Sequence, residues 1–176
     1  MLDVGCNCGQ LIVNLIRDLS CDCVGIDIVP EFIQHCQERH IPGIFVCADF
    51  SKMKEELDDL GTFDIVTALQ LIEHPINVRG FRDNVLRILR PGGRLIITTP
   101  HPRSERYGYH YLRTCISHVR MWTRWRLEQV FGSMMIYEEF ERGPEFISSS
   151  RRETIGAVFV KPNDEGLSFE SYEEFE

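Results

Sequence analysis

No apolar stretch in the 176 residues is long enough to span a bilayer. No charged-then-apolar leader precedes the first predicted strand, so no secretory signal is expected. Basic residues are the minority, 19 Lys and Arg against 27 Asp and Glu, for a net charge of −8. That balance disfavours non-specific binding to nucleic acid or to an anionic membrane surface. Much of the acid sits at the end of the chain, in Glu165, Glu170, Glu173, Glu174 and Glu176. No internal repeat and no second domain are visible. An odd cysteine count of seven, without a leader, points to free thiols in a reducing compartment, and the expected location is the cytoplasm. What remains is an ordinary globular composition, 43% hydrophobic and 26% charged, in a chain of a size for one domain with a substantial core.

The first ten residues, M-L-D-V-G-C-N-C-G-Q, organise the rest. A short apolar strand over residues 2–5 enters a Gly-punctuated turn. A helix follows from Gly9 to about Leu19, with Leu11, Ile12, Leu15, Ile16 and Leu19 at helical spacing. Cys23 to Ile28 is a second strand, and Pro30 opens a helix over Glu31 to Arg39. Ile44 to Ala48 is a third strand, after which Ser51 is expected to cap a helix over Lys52 to Leu60. Thr62 to Leu69 is a fourth strand, Val78 to Leu89 a helix, and Pro91-Gly92-Gly93 a turn into a strand over Arg94 to Thr99. Residues 100–121 have no clear period. Thr123 then caps a helix through Leu127, Val130 and Phe131. Met134 to Phe140 and Thr154 to Val160 read as a final pair of strands, antiparallel at the sheet edge. Alternating helices and apolar strands describe a doubly wound α/β fold around a mostly parallel sheet. One domain is expected over residues 1–161, with a loose acidic tail over 162–176.

In such a sheet, ligands sit beyond the carboxyl ends of the strands, where the strand order reverses. Asp3 to Gly9, Asp27-Ile28, Ala48-Asp49-Phe50 and Ala68 to His74 all fall there. Asp27 closes its strand about 20 residues beyond the Gly-rich turn, where a carboxylate can accept from ribose hydroxyls; the alternative is a capping or solvated Asp. Asp49 and Phe50 suit an adenine edge, or Asp49 is a helix cap. The turn G-C-N-C-G-Q does not supply the G-x-G-x-x-G of a nicotinamide-dependent oxidoreductase.

The series L-D-V-G-C-N-C-G, V-G-I-D-I, C-A-D-F, F-D-I-V-T-A-L-Q-L-I-E-H and L-R-P-G-G-R-L-I-I-T-T-P resembles the class I S-adenosylmethionine-dependent methyltransferases. The strand–Glu-His and L-R-P-G-G elements resemble the small-molecule and quinone-type branches. The resemblance implies a seven-stranded sheet and S-adenosyl-L-methionine as cofactor. It implies that Asp3, Gly5, Asn7 and Gly9 line the methionine end, that Asp27 with Ile28 holds the ribose, and that Asp49 and Phe50 meet the adenine. Leu69 and Gln70 would form the wall after the fourth strand. Asn7 stands where the family commonly has glycine, and Asn is the non-Gly residue that best tolerates positive φ. The family's usual upstream helix, which lids the cofactor, is not in this sequence.

Methyl transfer needs alignment of an acceptor and, for oxygen or nitrogen, a base. Candidates are Glu73-His74 after the fourth strand, and His101, His110 and His118. His74 can equally serve a structural hydrogen bond. The run H-P-R-S-E-R-Y-G-Y-H-Y, with Arg103, Arg106, Tyr107, Tyr109 and Tyr111, reads as a substrate lid or as a solvated loop. Related enzymes that hold a divalent metal resemble E-x-x-E-H here, whereas this chain has Gln70 to His74, Q-L-I-E-H; no metal is therefore expected. Cys6-x-Cys8 and Cys21-x-Cys23 are too closely spaced for a usual zinc site and read as small buried hydrophobes. The R-M-W-T-R-W-R run could stack on nucleic acid, but packing of Trp122 or Trp125 on the sheet explains it better. The sequence thus points to a methyltransferase of a small-molecule O, N or C acceptor. The alternatives are a non-catalytic or partner-dependent module, working with a protein partner or as a homodimer, and an RNA methyltransferase, which the acidic charge and Gln70 disfavour.

Overall fold

The computed structural model describes residues 1–100, 118–132 and 154–163, and the backbone of 136–140. Residues 101–117, which include His101, His110 and the Arg- and Tyr-rich run, and the acidic stretch from 164 lie outside the described residues. In chain order the elements are β1 (Leu2–Val4), α1 (Gln10–Leu19), β2 (Val24–Asp27), α2 (Pro30–Glu38) and β3 (Ile44–Cys47). A 3-10 turn (Phe50–Lys52) precedes α3 (Glu56–Leu60), β4 (Phe63–Leu69), α4 (Val78–Ile88) and β5 (Leu89–Pro100). Helix α5 (Arg124–Leu127) runs on into a wider π-type turn over Glu128–Gly132, and β6 (Ile136–Phe140) and β7 (Thr154–Val160) follow.

The seven strands lie in the order β3-β2-β1-β4-β5-β7-β6. Strands β1 to β5 are parallel, while β7 runs antiparallel to both β5 and β6, as expected for the terminal pair. Register explains the two faces. Leu2 pairs with Val24 and Val66, and Val66 with Leu95, so these side chains share one face. There they meet Phe81, Val85 and Ile88 of α4, and Leu127 and Phe131 from the region of α5. On the opposite face, Ile12 of α1, Ile33 of α2, Cys6 and Cys23 form a smaller cluster. Gly25 lies beneath it: a Cβ there would come within 2.8 Å of both Cys6 Sγ and Ile12 Cδ1.

Two expected elements differ in detail. The helix expected over Lys52 to Leu60 splits into the 3-10 turn and the short α3. The cap is Asp49 rather than Ser51, because the Asp49 carboxylate accepts from the Ser51 amide (3.1 Å) and Ser51 hydroxyl (2.6 Å). Met53 then takes an extended ψ of 146°, which ends the turn. The expected Pro-Gly-Gly turn lies inside β5, whose pairing with β4 shifts register between Phe63 and Ile65, and Gly92 absorbs the irregularity at a φ of 73°. The Thr123 cap forms as expected, its hydroxyl accepting from the Arg126 amide at 3.2 Å. Among the described cysteines all are free; Cys6 and Cys23 are buried, as expected of small hydrophobes, whereas Cys8 and Cys21 are half-buried. Trp122 is the tryptophan that packs in the core, and Trp125 is exposed. No helix among the described residues is long and apolar enough to cross a membrane.

Candidate functional site

Strand order reverses between β1 and β4, and a cleft of about 430 Å³ opens beyond the carboxyl ends of these strands and β2. The β1–α1 turn forms its floor. Gly5 and Gly9 adopt φ of 78° and 74°, and Asn7 joins them at 49°. Asn7 therefore holds the left-handed conformation for which glycine is the usual choice, and its side-chain oxygen accepts from the Cys8 amide at 2.7 Å. At Gly5 a Cβ would stand 3.0 Å from Leu71 Cδ1, so the bare backbone keeps the cleft open.

Asp27, at the end of β2, is 92% buried by its surroundings, with 8% exposure. One carboxylate oxygen accepts from the Asn7 amide (2.8 Å) and the other from the Val29 amide (2.9 Å). These bonds fix the carboxylate in the cleft wall while leaving each oxygen a further lone pair. Ile28, exposed, and Phe50, buried, lie at the wall, and Gln70 projects from a left-handed φ of 54° just after β4. The Asp49 carboxylate lines the cleft as well, though its oxygens also serve the cap and an ion pair with Lys52 at 2.8 Å.

The cleft thus gathers Gly5, Asn7, Asp27, Ile28, Asp49, Phe50, Gln70 and His74 of the expected set. Three expected residues stand behind the wall. Asp3 is buried, and its carboxylate accepts from the Thr67 hydroxyl at 2.6 Å, because the two are register partners on β1 and β4. Burial pushes its pKa up from 3.8 to about 6, opposed by the Thr67 bond and assisted by the nearby Asp27 charge. Gly9 starts α1 with its α-carbon facing Cys36 and Phe45, and Leu69 ends β4 outside the cleft lining. The sequence reading placed Leu71 in the Ala68 to His74 stretch without singling it out, and it missed Ile76, Phe32 and Phe81, which supply apolar wall.

Beyond the carboxyl end of β4, residues 72–74 are bound to the segment at 119–122 through three consecutive carbonyls. Trp122 Nε1 donates to the Ile72 carbonyl (2.8 Å), the Val119 and Arg120 amides to that of Glu73 (2.9 and 3.2 Å), and Arg120 Nη1 to that of His74 (2.7 Å). This brings His118 against His74, ring centroids 4.9 Å apart at 81°. The Glu73 side chain is fully buried below them. Its Oε2 accepts from the Thr99 hydroxyl at 3.2 Å, Oε1 has no hydrogen-bond partner, and burial raises its pKa.

Fold and cleft together define a doubly wound protein whose cleft lies at the strand-order reversal. The family described as "Methyltransferase domain" matches residues 2–97, and the chain belongs to that family. A ubiquinone biosynthesis O-methyltransferase of Bradyrhizobium sp. is 32% identical over 103 residues, covering 56% of this chain and 39% of that protein. The chain therefore spans about two-fifths of the length of that curated relative. Among solved structures, the plantazolicin methyltransferase BpumL, in complex with a triazolic desmethylPZN analog and SAH, superposes with a TM-score of 0.74 at 16% identity, covering 92% of this chain and 76% of that one. A Haloferax volcanii methyltransferase, solved in complex with the Trm112 methyltransferase activator, gives 0.73 at 15% identity, covering 92% and 82%. At those identities the likeness is one of fold.

Proposed function

We propose that this chain binds S-adenosyl-L-methionine in the cleft and transfers its methyl group to an oxygen, nitrogen or carbon of a small molecule. The carrying observation is Asp27: a carboxylate pinned by two backbone amides at the strand-order reversal, with lone pairs left for ribose hydroxyls. The glycine-bare turn at Gly5 suits close approach of the same ligand. Ile28 and Phe50 would flank the adenine, with Asp49 at its edge. Gly5, Asn7 and Gln70 would border the methionine part, and Asp3, Gly9 and Leu69 would support that wall from behind. When bound, the cofactor supplies an electrophilic methyl group on a sulfonium, and the protein's part is alignment and proton handling.

His74 lines the cleft and would accept a proton from an oxygen or nitrogen acceptor. His101 is proposed for the same end of the site on sequence alone. One catalytic domain over residues 1–161 and a cytoplasmic location complete the reading. A homodimer or a protein partner would bear on how the acceptor side is closed, and neither membrane nor nucleic acid is required.

Calorimetric titration of S-adenosylmethionine and S-adenosylhomocysteine into wild-type protein and Asp27→Ala tests the assignment. Wild type is expected to bind, with the variant weakened at least about tenfold, the value of a lost charge-assisted bond. Absence of binding by folded wild type refutes the reading. Binding with no methyl transfer to a broad panel of phenols, amines and activated carbons would favour a non-catalytic module.

A further inference from the structure

Strands β5 and β7 alternate between side chains shut off from solvent and side chains that are not. Leu95, Ile97, Ala157 and Phe159 are 0% exposed, whereas Ile96, Val158 and Val160 among them are half-buried. Register puts the second set on one face of the sheet: Ile96 pairs with Thr67 and Val158, and Arg94 with Ile65 and Val160. The opposite face is closed by α4 and the region of α5. On this face α1 and α2 pack around Ile12, Ile33 and Phe45, toward the β3 side. Among the described residues, Ile65, Ile96, Val158 and Val160 join neither packed cluster. Strands of a largely parallel sheet are ordinarily covered on both faces, so a contiguous row of Ile and Val left half open marks a docking surface.

We propose that the chain's own acidic segment, residues 164–176, docks on this face. Its point of departure is fixed. The Lys161 amide donates to the Gly93 carbonyl and the Gly92 amide to the Lys161 carbonyl, so the chain stays paired with β5 past Val160. Asn163 then lies against Gly92, at the amino end of β5 and beside the row that starts with Arg94 and Val160. From Gly92 to Ile96 is about 13 Å of strand. The segment's 13 residues span about 20 Å even when helical, enough to cover the row from Val160 to Ile96 and Val158.

Its residue pattern suits the task. Phe169, Tyr172 and Phe175 recur at every third position, which on a helix gathers them on one side. Glu170 and Glu174 then fall on the other side and Glu173 at the flank. A helix this short and acidic has little to hold it in water, which is why the segment reads as loose when taken alone. Burial of three rings against Ile and Val supplies the missing term. Arg94 is exposed on the same face and makes no ion pair among the described residues, so a cation stands where the segment's carboxylates arrive.

Isotope-edited NOE spectroscopy on the full chain, with labelled Ile and Val methyls, tests the docking without cofactor or activity. NOEs are expected from the Ile96 and Val158 methyls to the rings of Phe169, Tyr172 and Phe175, and the rings should shift those methyls upfield. The triple variant Phe169→Ser, Tyr172→Ser, Phe175→Ser is expected to return the methyl shifts toward random-coil values. Its far-UV circular dichroism should stay that of a folded sheet, since the three positions lie outside every strand. The proposal is overturned by folded wild type without these NOEs, or by methyl shifts that the triple variant leaves in place. It is equally overturned if a mixture of labelled and unlabelled chains shows the NOEs only between chains, which assigns the face to a second copy.

Discussion

Asp3 is a carboxylate the fold holds at a cost. It is buried on β1, beside Thr67 on the neighbouring strand, and its pKa is raised from 3.8 to about 6. A raised carboxyl binds its proton more tightly in the folded state than in the unfolded chain. Its stabilising contribution is therefore complete below about pH 4 and lost as pH rises through about 6. The difference of about 2 units corresponds to roughly 3 kcal/mol across that window, at 1.36 kcal/mol per unit. Asp3→Asn removes the titration while its side-chain oxygen can still accept from Thr67. Whatever the substitution costs in packing is a constant offset, so the informative quantity is how wild type and variant diverge with pH. Urea unfolding at half-unit steps from pH 4 to 8 is expected to show wild type losing about 3 kcal/mol relative to Asp3→Asn. Parallel curves, within about 1 kcal/mol across the range, would refute the claim that burial dominates at Asp3. The same variant is expected to bind S-adenosylmethionine less well at pH 8, because the cleft loses a charge close behind its wall.

Gly25→Ala puts a methyl against Cys6, Ile12 and Phe45 at 2.8 to 2.9 Å and is expected to destabilise by about 1–3 kcal/mol in urea unfolding. Trp122→Phe removes the donor to the Ile72 carbonyl; a loss of about 1–3 kcal/mol is expected, and an unchanged melting temperature would show the bond to be dispensable. Asn7→Gly is expected to leave stability within about 1 kcal/mol of wild type, whereas Asn7→Val, forced to φ of 49°, is expected to lose more than that.

How much of this was legible in the sequence follows from the range of the interactions. The alternation of strands and helices depends on local period and turn residues, so the sheet, its antiparallel terminal pair and the positive-φ turn at Asn7 could be read directly. The capping at Asp49 was less accessible, because Asp49 and Ser51 are both good caps and the choice turns on the extended backbone at Met53. Asp27 could be placed at a strand end by periodicity, and the Val29 amide that it accepts from is local, yet the Asn7 amide reaches it only when β1 and β2 are paired.

The segment beyond β4 shows where such reading stops and why. Glu73 and His74 follow β4 within a few residues, so their place beyond its carboxyl end was visible, but their chemistry depends on what packs over them. That cover arrives from residues 118–122, across a connection with no period to read. Its hold on the 72–74 carbonyls uses one indole, one guanidinium and two backbone amides, groups with no characteristic spacing. An R-M-W-T-R-W-R run suggests stacking or surface charge when taken alone. In the fold, Arg120 and Trp122 spend their polar atoms on carbonyls, Trp122 fills the core, and Arg126 lies over its ring at 5.3 Å. The consequence is functional as well as structural: the same contacts that order this loop set His118 beside His74 and leave a buried carboxylate oxygen facing no donor. A motif read at β4 alone would weigh only Gln70 against glutamate and would miss His118, which the fold sets against His74.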